Sequence, residues 1–449
     1  MTSYIRAYQR HYHDLLKLGM PIVVGQIGTV VLGFADTLMI GHYGMKELAA
    51  ASFVNTLFTL VVVFAMGFSY GLTPIVGSLF GKGETREIGS SLKNSLLANS
   101  LLAVLLLAIT LTFYAFVDRM GQPTELLSLI RPYLLVNIIS LPFLCWFNAF
   151  KQFFDGITDT RTPMFVILGG NLLNIIGNYL LIYGVCGLPE LGLLGAGIST
   201  MLSRIIMFAA CAGIFFFHQK YRLYRTYMLQ SSFDKDSLRK QSVLGWPVAL
   251  QLGMESASFS LAVIFVGWLG TIALAAHQVM LTISQLLYMV HSGMAAAVAV
   301  RVSYFHGRQE WEEVSSTAAA GWHLLLAFAA IITLGVFAFR HTIGYLFTSD
   351  AEVVAQVSTL VLPMIVYQFG DTLQYTYANA LRGISHVKPL MLIAFVSYFV
   401  LSLPCSYLFS MVLGWGLEGI WWAFPIGLTF AGIFYYGCFV RQLRREQHH

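Results

Sequence analysis

Twelve long apolar runs dominate this chain and limit what it can fold into more than any other feature. Each approaches the roughly 20 residues that a helix needs to cross the hydrocarbon core of a bilayer. The runs fall near residues 15–40, 48–72, 92–118, 128–150, 162–185, 193–217, 244–268, 273–300, 316–339, 354–380, 388–413 and 417–440. Because lipid offers the backbone no hydrogen-bond partners, such runs cross as α-helices. We predict an all-α polytopic membrane protein with twelve transmembrane helices.

The composition excludes several other classes of protein. Hydrophobic residues make up 57% of the 449 positions and charged residues only 10%, whereas soluble domains carry about 25% charged residues. A soluble enzyme, a nucleic-acid binder and a disordered chain are therefore excluded. The five cysteines are odd in number and form no C-x-x-C pair, which indicates neither a disulfide framework nor a zinc site. We expect the first apolar run to be retained as a helix and not cleaved as a signal peptide.

The basic residues predict how the helices are oriented. If the twelve runs alternate in direction, 21 of the 26 lysines and arginines fall on the side of the N-terminus. The opposite side has only Lys46, Arg119, Arg131 and Arg340, and Arg204 lies within a run. Loops rich in lysine and arginine stay in the cytoplasm. We expect both termini to be cytoplasmic.

An internal repeat divides the chain into two halves. A shift of 226 positions places Gly19 on Gly245 and Gly67 on Gly293 without a gap. An even number of spans in each half inserts both halves the same way up, so their pseudo-two-fold axis runs along the membrane normal. We predict two pseudo-symmetric six-helix lobes with a central cleft. The N-terminal lobe covers 1–218, a basic cytoplasmic linker covers 219–243, and the C-terminal lobe covers 244–449.

Three acidic residues lie within the predicted spans, namely Asp36, Glu255 and Asp371. A carboxylate at the bilayer centre costs at least about 2.5–3.5 kcal/mol, and such groups usually face a cavity on an ion or substrate path. The alternative is a structural acid paired with a base. Arg204 is the one basic residue within the spans, and it cannot neutralise three acids. The pattern therefore predicts a functional set.

Polar neighbours of these acids suggest two cation sites. Tyr367, Asp371 and Gln374 share one helix face, where a phenol and a carboxylate could bind a cation or exchange a proton. The alternative there is a tyrosine packed beside a structural acid.

The second candidate site lies in the first half of the chain. Asn174 and Asn178 are spaced i, i+4, and Thr200 lies in the next span. With Asp36 they form an all-oxygen set, which suits a hard cation such as Na⁺. The alternative is that the asparagines only hold helices together.

The eighth span contains two histidines, His277 and His291, which we interpret as structural. Gln278 adjoins His277 and is a candidate for the cleft surface. The candidate substrate-binding residues are thus Asp36, Gln278, Asp371 and Gln374. No G-x-x-x-x-G-K-[ST] motif occurs, so the chain encodes no ATP-driven pump. We expect no enzyme activity and no cofactor beyond a coupling ion.

Several short fragments resemble a known family in their order and spacing. They are Pro21, Asp36-Thr37-Leu38-Met39-Ile40-Gly41, Leu48-Ala49-Ala50, Asp155-Gly156 with Thr162-Pro163, Gly195-Ala196-Gly197 before Thr200, Glu255, Ala275-Ala276-His277-Gln278 and Asp371. Over nearly all of its length the chain resembles the multidrug and toxic compound extrusion (MATE) family, in its NorM-type bacterial branch. The resemblance implies two six-helix lobes and export of cationic drugs, driven by inward Na⁺ or H⁺.

The resemblance also implies which residues hold the coupling ion. In the C-terminal lobe these match Glu255, Tyr367 and Asp371, with Glu255 and Asp371 as a candidate Na⁺ site. In the N-terminal lobe they match Asp36, Asn174, Asn178 and Thr200, a second candidate Na⁺ site. Many relatives carry aspartate where this chain has Asn178, so this chain's neutral amide favours sodium over a carboxylate proton relay there.

The resulting hypothesis is a monomeric antiporter in membrane lipid. It exports small lipophilic cations in exchange for Na⁺ or H⁺ by alternating access. One alternative is a lipid-linked saccharide flippase of the same superfamily, but such a protein needs a basic cleft for pyrophosphate. A more distant alternative is an intramembrane aspartyl enzyme that uses Asp36 and Asp371 as its two acids.

Overall fold

The computed structural model describes residues 2–447, with side chains from residue 8 onward, and this part of the chain contains helices and no strand. Met1, His448 and His449, at the ends of the two predicted lobes, lie outside the described residues. The all-α prediction is confirmed for the part of the chain described here.

Residues 2–447 form sixteen α-helices. They are α1 (Thr2–Tyr43), α2 (Met45–Ser69), α3 (Leu72–Lys82), α4 (Thr85–Phe116), α5 (Thr124–Ile139), α6 (Leu141–Gly156), α7 (Arg161–Ile182), α8 (Leu193–Phe217), α9 (Arg222–Gln230), α10 (Lys235–Trp268), α11 (Thr271–Gly307), α12 (Trp311–Ala338), α13 (Ala351–Gly383), α14 (Lys388–Phe395), α15 (Leu403–Tyr407) and α16 (Gly416–Gln447).

Twelve stretches of this helical chain are long and apolar enough to cross a membrane, which confirms the predicted number of spans. Most are longer than the apolar runs, because their helices continue into polar sequence. The first spans Tyr8–Tyr43, where the apolar run covers 15–40. Two spans consist of two helices each, α2 with α3 and α5 with α6.

The eleventh span contains two wider helical segments. Between α14 and α15 the backbone forms a π-helix over Val396–Ser402, and a second π-helix covers Leu408–Val412. Pro404 lies at the start of α15. Proline has no N–H to donate and its ring clashes with the preceding turn, so the regular i to i+4 ladder is interrupted here.

The internal repeat is visible in the backbone of the cytoplasmic turns predicted from charge. Gly83 and Gln309, which are 226 positions apart, both have left-handed φ values, of 77° and 59°. Thr158 and Ser385, which are 227 positions apart and so within one residue of the same shift, form a second pair at 64° and 60°. Left-handed backbone is uncommon in residues other than glycine, so its recurrence at matched positions supports the repeat.

The chain packs into two compact units, residues 24–249 and residues 1–23 with 250–449. In each unit a glycine packs closely against the first half of a long helix, α10 in the first unit and α1 in the second. A Cβ on Gly67 would lie 2.6 Å from the Ala249 Cα in the first unit, and one on Gly293 would lie 2.9 Å from the Val23 Cα in the second. This division follows packing, whereas the predicted lobes 1–218 and 244–449 follow the sequence repeat and stay a prediction.

Candidate cation sites

The first candidate site lies within the unit formed by residues 24–249 and joins α1 to α7. Asp36 projects from α1, and its Oδ1 accepts a hydrogen bond from Asn178 Nδ2 on α7 at 2.5 Å. A carboxylate accepts hydrogen bonds and an amide nitrogen donates them, so this contact fixes which end of the Asn178 amide faces Asp36. Asn178 is fully buried.

Asn174 lies one turn earlier on α7 and faces α8. Its Nδ2 donates to Thr200 Oγ1 at 3.2 Å and to Ser203 Oγ at 3.3 Å. Its backbone oxygen accepts from Ser199 Oγ at 2.8 Å. The structure therefore brings Asn174 together with Thr200 and Asp36 together with Asn178, as two adjoining pairs on one face of α7.

Both asparagines use their amide nitrogens in these contacts and keep their amide oxygens free. The Oδ1 atoms of Asn174 and Asn178 are buried and have no hydrogen-bond partner within the described chain. Buried polar atoms in proteins are nearly always satisfied, and an orphan calls for an explanation such as an ion or a water. Asn178 also contacts Asp36, and Asn174 lies one turn away on the same helix. Amide oxygens and a carboxylate are groups that a hard cation prefers.

Arg204 does not form an ion pair with Asp36. Its Nη1 donates to Ser140 Oγ at 2.6 Å, and its guanidinium lies 5.5 Å from the centre of the Phe58 ring. Among the described residues, no salt bridge joins Arg204 to an acid. Asp36 therefore has Asn178 as its direct partner, which leaves its negative charge uncompensated by a base in contact.

The second candidate site lies in the unit formed by residues 1–23 and 250–449. Glu255, on α10, is 7% exposed and accepts a hydrogen bond at Oε1 from the Tyr375 hydroxyl of α13, at 2.6 Å. Asp371 lies one turn before Tyr375 and is 6% exposed. Its Oδ2 lies 2.9 Å from Nδ1 of His291 on α11.

Of the other residues predicted for the C-terminal half, Tyr367 and Gln374 are buried and Gln278 is exposed. Tyr367 is buried, with its ring 6.1 Å from that of Trp421 and 6.4 Å from that of Phe424. Gln374 is buried and donates from Nε2 to the Tyr398 hydroxyl at 2.6 Å. Gln278 is exposed on α11. The structure thus groups Gln374 with the buried acids and leaves Gln278 on a surface.

Two residues of this cluster, Tyr375 and Tyr398, are not among those predicted from the sequence. His291 was interpreted as structural, and the structure places it against Asp371. Tyr375 lies four positions after Asp371, so helical spacing could have suggested it. His277 fits the structural interpretation, because its Nδ1 accepts from Trp421 Nε1 at 3.1 Å.

Each site offers one or two carboxylates with neutral oxygen and nitrogen groups. Within the described residues, no group of three or more histidine, cysteine or acidic side chains could hold a metal ion. Such sparse charge suits a monovalent cation or a proton better than a tightly held divalent metal. Twelve apolar spans and buried carboxylates of this kind define a polytopic membrane transport protein.

Comparison with known proteins identifies the family. The MatE family model matches residues 21–180 and 247–408. The chain therefore belongs to the MatE family of transporters.

The matched relatives and structures cover almost the whole chain. A probable multidrug resistance protein NorM of Photorhabdus laumondii is 29% identical over 425 residues, which is 93% of each chain. The multidrug resistance protein NorM of Aliivibrio fischeri is 28% identical over 95% of this chain and 94% of its own. The bent form of the Vibrio cholerae MATE transporter VcmN has the same fold, with a TM-score of 0.87 at 19% identity and coverage of 98% and 99%.

Proposed function

We propose that this protein is a secondary antiporter that exports small lipophilic cations in exchange for inward Na⁺ or H⁺. Two relatives that match more than nine-tenths of the chain are named as multidrug resistance proteins. The buried carboxylates of both units favour a positively charged cargo. The protein would act by alternating access as a monomer in the inner membrane, with both termini in the cytoplasm.

The observation that carries this proposal is the pair of orphan amide oxygens beside Asp36. An unsatisfied buried acceptor costs about 1–3 kcal/mol, and Asn174 and Asn178 each bear one. A bound Na⁺ would satisfy both oxygens and neutralise Asp36 together. Asp36, Asn174, Asn178 and Thr200 are the proposed ligands, and the sodium ion is a transported substrate in this scheme.

The unit formed by residues 1–23 and 250–449 would bind a second cation during transport. Glu255, Tyr367 and Asp371 are the proposed cation-binding groups there, for a proton or Na⁺. Asp36, Gln278, Asp371 and Gln374 are the proposed contacts for the exported compound. If ion and compound compete for the same carboxylates, the transporter changes state only with one or the other bound, which prevents a leak of either.

The energetics set what such an exchange can achieve. A charge that crosses about 100 mV gains roughly 2.3 kcal/mol, and a tenfold concentration gradient contributes about 1.4 kcal/mol. In a one-for-one exchange of single charges the voltage contribution cancels. Export against a gradient would then depend on the ion gradient, or on the entry of more than one ion.

An anionic cargo fits the described residues less well. A lipid-linked saccharide carries pyrophosphate, which needs basic partners. The one basic residue that sequence analysis placed inside a span, Arg204, is bonded to Ser140.

Efflux of ethidium from proteoliposomes tests the proposal. We expect an imposed inward Na⁺ or H⁺ gradient to drive efflux by the wild type, and D36N, E255Q and D371N to slow it. Equal rates with and without each gradient would contradict antiport. Equal rates in the wild type and in all three variants would contradict the assignment of the sites.

A further inference from the structure

An aromatic pocket that contains a carboxylate lies at the start of α16, and its lining includes none of the candidate site residues. Its lining consists of Phe409, Trp415, Glu418, Trp422, Pro425 and Ile426, and it encloses about 650 Å³. We call it the α16 pocket. The predicted topology places this end of α16 on the extracytoplasmic side of the membrane, opposite both termini.

The turn that precedes α16 holds Trp415 in one position. The backbone N–H of Trp415 donates to the Phe409 carbonyl at 3.0 Å, and the two rings lie 5.2 Å apart. Gly414 and Gly416, on either side, have left-handed φ values of 73° and 57°, which other residues adopt only with strain. The turn therefore sets the backbone of Trp415, whose indole contacts the Phe409 ring and is 53% exposed.

Glu418 and Trp422 complete a polar and aromatic wall. They are four positions apart on α16 and share one face of the helix, and Trp415, just before the helix, lines the same pocket. Glu418 is exposed and has no hydrogen bond or ion pair from its carboxylate within residues 8–447. The pocket thus presents a free negative charge between aromatic faces.

This combination matches one ligand chemistry. The faces of tryptophan and phenylalanine attract cations, and aromatic cages bind quaternary ammonium groups by this means. A carboxylate adds direct charge complementarity. An aromatic belt at the membrane surface explains exposed tryptophans in general, and the helix dipole favours an acid in the first turn of α16. What these leave unexplained is that Glu418 lines one cavity together with Phe409, Trp415 and Trp422.

We propose that the α16 pocket is a second binding site for lipophilic organic cations, separate from the buried acids. This inference rests on the proposed export of such compounds and adds a site for them. A compound leaving the protein would be held here at the outer surface, between the aromatic rings and Glu418.

Equilibrium binding of tetraphenylphosphonium to the full chain in lipid-free detergent tests this site. We expect E418Q and W415L each to lose one class of binding site, or to weaken it about tenfold or more. E352Q and W268L are matched controls. Glu352 is also in the first turn of a helix on the predicted outer side, and Trp268 is also exposed there, so both controls should bind as the wild type does.

The triple variant D36N/E255Q/D371N separates this inference from the proposed function. If it keeps the E418-dependent site and loses the other, both proposals are supported. If it keeps every site, the assignment of the buried acids fails while the α16 pocket stands. If the triple variant does not fold, the comparison of E418Q with the wild type and with E352Q decides.

Two results would overturn the α16 pocket as proposed. One is binding by E418Q and W415L that equals the wild type in both number of sites and affinity. The other is displacement of the probe from the E418-dependent site by dispersed phosphatidylethanolamine and not by phosphatidylglycerol. That displacement would assign the pocket to the ammonium group of a lipid and not to an exported compound.

Discussion

Asn178 donates a hydrogen bond from Nδ2 to Oδ1 of Asp36 at 2.5 Å, and its buried amide oxygen has no hydrogen-bond partner within the described residues. The contact links α7 to α1 and so ties the charge of Asp36 to a neutral side chain. The amide oxygen of Asn178 is therefore available to coordinate a bound Na⁺, and this geometry is the basis of the sodium proposal.

Replacing Asn178 by alanine should weaken the coupling of efflux to sodium. The change removes both the donor to Asp36 and one proposed oxygen ligand. Loss of a hydrogen bond to a charged group costs about 1.5–3 kcal/mol, so the Na⁺ concentration for half-maximal efflux should rise about tenfold or more. Titration of ethidium efflux with Na⁺ at fixed pH measures it.

Asn171 supplies the control for this experiment. It is buried on the same helix, seven positions before Asn178, and no hydrogen bond joins it to Asp36 in the described structure. Asn171→Ala should leave the sodium dependence unchanged. An equal shift in both variants would assign the effect to general damage to α7.

Replacing Tyr375 by phenylalanine should impair transport through Glu255. The variant loses only the hydroxyl that donates to Glu255 Oε1 at 2.6 Å. We expect the efflux rate to fall about tenfold, because a buried carboxylate loses its donor. Tyr436→Phe makes the same chemical change at a half-exposed ring of α16, 4.8 Å from the ring of Tyr377, and should keep the wild-type rate. Similar rates in the two variants would contradict this role of Tyr375.

The close approach of α2 to α10 predicts a strong effect of one methyl group. In Gly67→Ala the new Cβ would lie 2.6 Å from the Ala249 Cα, so backbone has to shift at a cost of about 1–3 kcal/mol. Thermal unfolding in detergent should show a lower apparent Tm. Gly213→Ala adds a methyl group to α8, where nothing lies within 4 Å, and should be neutral or slightly stabilising. An unchanged Tm in Gly67→Ala would contradict the packing.

A polar lock outside the membrane spans predicts a pH-dependent stability. Asp159 accepts from Tyr221 at 2.5 Å and pairs with Lys220. Burial alone raises the pKa of the Asp159 carboxyl, but the hydrogen bonds from Lys220 and Tyr221 and the charge of Lys220 outweigh burial, so the pKa lies below its ordinary value. The ionised form is therefore favoured in the folded state, and its contribution is present above the unfolded pKa of about 3.9 and lost as the pH falls through the folded value.

Asp159→Asn tests this lock. At pH 7 the apparent Tm should fall by about 2–4 °C, and the difference from wild type should shrink below about pH 4. Asp236→Asn, which removes an exposed charge in the first turn of α10, should leave the Tm unchanged at both values. A Tm difference that persists undiminished in acid would show that the carboxylate charge is not what stabilises the linker.

The sequence predicted the fold well because membrane spans depend on local composition. Each apolar run predicts one transmembrane helix by itself, and the alternation of basic loops supports the number of helices. The turns at Thr158 and Ser385 were missed, since threonine and serine carry no sign of left-handed backbone. The sequence repeat aligns Gly67 with Gly293. It could not show that the backbone of another helix packs directly against each of these glycines.

The candidate sites were predicted only in part, for a related reason. Asn174 and Asn178 share a helix face through their spacing, and the cost of burying Asp36 marked it as unusual. His291 is 80 positions from Asp371, so no helical period connects them. Which atom of an amide faces an acid depends on tertiary contacts, and the orphan oxygens were therefore visible only in the structure.

The most direct test drives the same exchange with a gradient of the exported compound instead of a gradient of the ion. Proteoliposomes loaded with ethidium and diluted into medium with equal Na⁺ and pH on both sides should take up labelled Na⁺, or protons, as the compound leaves. D36N and N178A should slow the uptake of Na⁺ by at least about tenfold. If ethidium leaves at the wild-type rate while neither ion enters, the exchange between a departing cation and an entering one is wrong.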